Sequence, residues 1–209
     1  MGRRVDVRLR GWSWWALIVV LLWSVAGGSA AAEPEGPAQH VQRLIQAIGS
    51  IKAANNGNLS MADRASNETA AKVANAILDI PGVSQWALGK HWNGRSPAEQ
   101  QEFITLLEQL FVKVAYPKSA EFFGDLTITV AGERISGQRA VVQTTVRHPK
   151  EGMVSIDYQL LQHDGDWRVR DILLDDVSMA TNLRSQFNKI ISEHSYAELL
   201  RRMREKLAE

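Results

Sequence analysis

The chain has no cysteine among its 209 residues. That removes disulfides, thiolate zinc sites and cysteine nucleophiles together, so stability must come from packing. It also has no charge excess: 24 Lys and Arg against 23 Asp and Glu leave a formal net charge of +1. Nucleic acid calls for a clustered basic surface, so no nucleic-acid partner is expected. The common catalytic and nucleotide motifs are missing too: no Gly-x-Ser-x-Gly, no His-Glu-x-x-His and no Gly-x-Gly-x-x-Gly. The five histidines (His40, His91, His148, His163, His194) are scattered, with no pair at helical i, i+3 or i+4 spacing. Neither a metal site nor an enzyme is expected from such a set. What is abundant is apolar side chain, 45% of the sequence, enough for the core of one ordinary domain.

The start of the chain reads as an address. Arg3, Arg4, Arg8 and Arg10 precede an apolar run from Trp12 to Ala26, and small residues follow through Ala32. This is the plan of a cleavable export signal with Ala30 and Ala32 at the peptidase positions, so cleavage after Ala32 is expected. The run is shorter than the roughly 20 residues a spanning helix needs, and Gly27 and Gly28 close it. Residues 33–209 would then form a single domain with 20 basic and 22 acidic side chains. An exported protein of this size without cysteine fits a bacterial periplasm, since secreted eukaryotic domains usually carry disulfides.

Beyond a polar leader at 33–39, Val41, Leu44, Ile45, Ile48 and Ile51 recur at helical spacing, and a second, Ala-rich helix is expected from Met61 to Leu78. Asp79-Ile80-Pro81-Gly82 should end it, with a short helix over 83–89 next. Ser96-Pro97-Ala98-Glu99 is a capping box with proline at the first helical position. After it Phe103, Leu106, Leu107, Leu110, Phe111 and Val114 form one long apolar stripe, which Tyr116-Pro117 should bend. The period then changes to two over 126–130, 140–145, 154–160 and 167–172, the mark of half-buried antiparallel strands. Asp164-Gly165 supplies a tight hairpin between the last two. Helical spacing returns over 178–191 and 196–207. The expected fold is α+β: a curved four-stranded antiparallel sheet packed by helices from both ends of the chain.

Asp171 is the one unusual charge. Strict alternation from Trp167 and Val169 puts its carboxylate on their apolar face, where an unpaired charge is costly. It reads either as a general base in a cone-like cavity, or as a structural group turned outward by a bulge or paired with Arg170, Arg184 or the amides opening the Ser178 helix. Periodicity does not separate a filled core from a hollow one, so a small-molecule enzyme, an interaction module and a carrier all remain open.

A longer set of residues carries a resemblance. Leu88-Gly89-Lys90-His91-Trp92, the Ser-Pro-Ala-Glu-Gln-Gln-Glu-Phe opening at 96–103, Val114-Ala115-Tyr116, the run from Val154 to Leu160, Gly165 to Asp171, and Asp176 to Phe187 together resemble the MlaC, or toluene-tolerance, family of periplasmic lipid-binding proteins. The resemblance implies a carrier that holds a phospholipid by its acyl chains in an apolar cleft between sheet and helices. It implies a monomer that exchanges lipid with an inner-membrane ABC-type transporter and an outer-membrane lipoprotein-porin complex, with no cofactor. By motif matching, the cleft wall is expected from Trp92, Phe103, Leu107, Phe111, Tyr116, Tyr158, Trp167, Val169, Val177, Met179 and Phe187, with Arg184 as a headgroup contact at the rim or a partner of Asp171. The chain departs from the family pattern at Asp175-Asp176, where a glycine is expected before Val177, and at Ala180-Thr181. A branch of the family linked to hopanoid biosynthesis is similar in this stretch, which makes a hopanoid the rival ligand.

Overall fold

The computed structural model describes residues 35–52, 58–123, 126–149 and 152–209. The expected leader at 1–32 and its cleavage site lie outside the described residues. Helix α1 spans Pro37–Gly49 and begins inside the stretch expected to be a polar leader. Proline at the first helical position has no amide to leave unpaired, so the helix starts as soon as the chain permits. Helix α2 (Met61–Ile77) opens on Ser60, whose hydroxyl accepts from the Asp63 amide at 3.0 Å. It buries Ala70, Ala71 and Ala74, small side chains that suit packing against α1. Asp79 ends this run and starts the next, because its carboxylate accepts from the Gly82 amide at 3.0 Å and caps α3 (Ile80–Leu88).

The capping box forms as the sequence predicts: Ser96 accepts from the Glu99 amide at 3.3 Å and Glu99 accepts from the Ser96 amide at 2.8 Å, opening α4 (Pro97–Leu110). Tyr116-Pro117 does not break the helix. Phe111–Ala115 form a π-helical turn in which the Tyr116 amide donates to the Phe111 carbonyl, and α5 (Tyr116–Phe123) continues from it. The wider turn fits the chemistry of Pro117, which has no amide and whose ring crowds the carbonyl four residues back.

The sheet runs β1 (Ile128–Ser136), β2 (Arg139–His148), β3 (Gly152–His163), β4 (Asp166–Leu174) and β5 (Val177–Ser178), all antiparallel and in sequential order. It has five strands where four are expected. The extra strand follows from Asp175 and Asp176, whose φ of 45° and 64° make a two-residue hairpin turn that folds Val177 back onto Leu174. Asp164 and Gly165 do the same between β3 and β4. Helices α6 (Met179–Glu193) and α7 (Tyr196–Ala208) complete the chain.

Buried side chains fall into two clusters. One joins the inner face of the sheet (Val142, Ile156, Tyr158, Leu160, Trp167, Val169) to α1, α2 and α5. The other lies among α3, α4, α6 and α7 and is built on Phe103, Leu107, Phe187, Leu199 and Met203. Among the described residues no helix is long and apolar enough to cross a membrane.

Candidate ligand-binding cavity

The first cluster is hollow. A cavity of about 650 Å³ opens between α1, α5, α6 and the sheet, within the ~300–1,000 Å³ range of small-molecule sites. Each wall follows from a local pattern. Helix α1 gives Leu44, Ile45 and Ile48. The π-helical turn and α5 give Phe111, Ala115, Tyr116, Ser119 and Phe123, and the Phe111 and Tyr116 rings stack at 5.9 Å. Leu126, Ile128, Ile156, Tyr158, Ile172 and Leu174 form the sheet wall, with Leu78 from the end of α2. Helix α6 presents Met179, Asn182, Leu183 and Gln186, a stripe at i, i+3, i+4 and i+7.

Among the described residues no charged side chain lines the cavity. The exposed lining residues are Gln46 and Gly49 on α1 and Asn182 and Gln186 on α6, so the mouth lies between these two helices and carries neutral amides. The Gln186 amide donates to the Asn182 side-chain oxygen at 3.0 Å. Such a chamber can take up hydrocarbon by the hydrophobic effect and leave charge in water.

The bend that shapes the sheet wall is a bulge in β4. Leu160 pairs with Val169 and Gln159 with Asp171, so Arg170 is the extra residue. Before it, Trp167 and Val169 face the core; after it, Ile172 and Leu174 do. Asp171 therefore leaves the apolar face that strict alternation predicted and shares the opposite face with exposed Gln159. Its carboxylate accepts from the Ala180 amide at 3.0 Å, the Ser178 hydroxyl at 2.5 Å and the Ile172 amide at 2.9 Å. This is the structural reading, a carboxylate at the start of α6 where the helix has free amides and positive dipole. Neither arginine pairs with it. Arg170 bonds Asp79 at 3.2 Å, and Arg184 lies 4.7 Å over the Trp86 ring. The Arg184 guanidinium also covers Gly89, which has a φ of +53° and where a Cβ would stand only about 3 Å from the guanidinium.

Of the eleven residues expected in the wall, Phe111, Tyr116, Tyr158 and Met179 line the cavity. Phe103, Leu107 and Phe187 belong to the second cluster, where Phe103 and Phe187 meet edge to face at 5.7 Å, and Trp92 packs against it. Trp167 and Val169 are on the correct face of the sheet but in the filled part of the first cluster, where the Asp79 amide bonds the Val169 carbonyl at 2.9 Å. Val177 is 56% exposed on the short edge strand. Arg184 is not at the mouth. The largest omissions are Ile45, Ile48, Ser119, Phe123, Ile172, Leu174 and Leu183. The α6 stripe was readable, since Met179, Asn182, Leu183 and Gln186 share one helix face; its two amides hid it.

The two phenols of the cavity differ. Tyr116 donates to the Asn75 side chain at 2.7 Å, and Asn75 donates to Glu108 at 2.8 Å. Burial, helped by the Glu108 charge, pushes the Tyr116 phenol well above the usual range. Burial alone does the same to Tyr158. Among the described residues, no group of three His, Cys, Asp or Glu side chains is placed to hold a metal ion.

Fold and cavity together define an α+β protein with an open apolar chamber between an antiparallel sheet and helices. The chain belongs to the MlaC protein family, whose model matches residues 39–205. It is also similar in fold to the phospholipid-binding protein from Ralstonia solanacearum, a structure in complex with a phospholipid, with a TM-score of 0.66 and 21% identity over 81% of this chain and 96% of that one. No curated protein matches the chain.

Proposed function

We propose that this protein is a periplasmic carrier that takes a phospholipid by its acyl chains and moves it between the inner and outer membranes. In this reading its partners are an inner-membrane ABC-type transporter and an outer-membrane lipoprotein-porin complex. The observation that carries the reading is the apolar lining of the 650 Å³ cavity, to which none of the described residues adds a charged side chain. The family and the lipid complex of the Ralstonia protein support the same ligand class. A chain of about 16 methylenes resists transfer into water by roughly 13 kcal/mol, so a carrier must enclose the chains. The headgroup stays at the amide-lined mouth, in water.

The positions that raised a hopanoid as rival are Asp175 and Asp176 in the β4–β5 turn and Ala180 and Thr181 at the start of α6, and none of the four is among the residues lining the cavity. The phospholipid reading rests on the family and on the lipid of the Ralstonia protein.

The test is lipid extraction and mass spectrometry of the protein purified from the periplasm, with native mass spectrometry to count ligands. One two-chain phospholipid per chain is the expected result. Protein that emerges empty and takes up no lipid from phospholipid vesicles would overturn the reading, and a bound hopanoid would redirect it. Ser119→Trp, which places an indole in the chamber without removing a core contact, should load little lipid while keeping the parent's thermal midpoint.

A further inference from the structure

The chain has three tyrosines, and all are buried. Two have hydrogen-bond partners: Tyr116 with Asn75, and Tyr196 with the Glu99 carbonyl at 3.1 Å. Tyr158 has none among the described residues, although it is only 6% exposed. Its hydroxyl is not among the fully buried oxygens, so in the lipid-free chamber it meets water, and a ligand that displaces that water has to supply an acceptor.

Its position narrows what that partner is. Tyr158 stands on β3, the central strand of five, between Val142 on β2 and Ile172 on β4. It lines the sheet wall of the chamber, whereas the amides of Gln46, Asn182 and Gln186 are exposed at the mouth. Burial keeps the phenol protonated at neutral pH, so it is a donor. A phosphate is not its match, because among the described residues no cation lines the chamber to offset a buried charge. Acyl methylenes have no acceptor at all. Between phosphate and chains, the strongest uncharged acceptors of a glycerophospholipid are its ester carbonyls; the alkoxy oxygens are weaker.

We propose that the Tyr158 hydroxyl donates a hydrogen bond to an ester carbonyl oxygen of the bound lipid, so that the ester linkage, and not only the chains, is drawn below the mouth. This rests on the phospholipid-carrier reading and adds a selectivity to it: ester-linked lipid over ether-linked lipid of the same chains and headgroup.

The experiment is competitive loading from vesicles containing equal diacyl phosphatidylglycerol and its dialkyl ether analogue, read by native mass spectrometry. The parent protein should favour the diester by roughly five- to tenfold, the worth of one hydrogen bond. Tyr158→Phe should lose the preference and load the two lipids in equal proportion. Equal loading of both lipids by the parent, or a preference that survives in Tyr158→Phe, overturns the proposal and leaves the carrier reading intact. If neither lipid enters either protein, the carrier reading falls and the proposal with it. A structure of the lipid-loaded parent tests the same point without a variant: a phenol oxygen about 2.7–3.0 Å from a carbonyl oxygen is expected, and a phenol bonded only to water overturns it.

Discussion

The two hydrophobic clusters use the same kinds of side chain and end differently. Among α3, α4, α6 and α7, Phe103 and Phe187 interlock at 89° and Leu107, Leu199 and Met203 fill the space around them. Between α1, α5, α6 and the sheet, Phe111, Tyr116, Ile156 and Leu174 surround a void. One helical course passes from the first region to the second: α4 supplies Phe103 and Leu107 to the filled core, and the π-helical turn after it supplies Phe111 to the cavity wall. Helix α6 does likewise, with Phe187 in one and Met179 and Leu183 lining the other. Filled packing holds the helices in register, and the bulged sheet then keeps its distance from them. The filled half is a frame and the hollow half a container.

The sharpest way to break that comparison is to truncate a phenylalanine in each half. Phe103→Ala in lipid-free protein should cost about 3–5 kcal/mol, because its 0% exposed ring leaves a cavity the neighbours cannot close. Phe123→Ala, a partly exposed ring that already borders a void, should cost ~1 kcal/mol or less and reduce lipid loading instead. Urea unfolding of the two variants reads the difference, and equal losses would mean that the two regions are packed alike. A middle-sized effect is expected at the joint between them. Asp171→Ala removes the acceptor for the Ala180 amide and the Ser178 hydroxyl at the start of α6, and should lower stability by about 2 kcal/mol with lipid loading retained. Retained stability would show that α6 is held by its apolar face alone. The smallest effect is a gain. Asp176→Gly relieves a left-handed conformation at φ 64° in the exposed turn and should add about 1 kcal/mol, measured by the shift of the urea midpoint.

Much of the architecture was readable from local chemistry. The capping box at Ser96, the Asp-Gly hairpin, the last three period-two strands and the two C-terminal helices form where the residues predict, since each depends on neighbours in sequence, whereas the first strand, expected over 126–130, runs over Ile128–Ser136. The misses share a cause. Asp175-Asp176 reads as polar loop, yet backbone pairing turns it into a hairpin with a fifth strand. Asp171 counts as inward until Arg170 is inserted opposite the Gln159–Leu160 pair, and only the partner strand reveals that insertion. Tyr116-Pro117 was expected to break or bend the helix, and a π-helical turn carries the chain on into α5 without a break.

Local sequence determined the elements and which face of each is apolar, because propensity, caps and periodicity act within a few residues. It could not say which apolar stripe meets another and which meets a void. Phe103, Phe111 and Phe187 look alike in a periodic pattern; the first and last fill a core and the middle one lines a chamber. That division is decided by the distance between the sheet and the helices facing it, a sum of bulge, turn and crossing geometry that exists only once the chain has folded. The same holds for Tyr158, an ordinary strand residue in sequence, which lines the chamber and has no hydrogen-bond partner among the described residues.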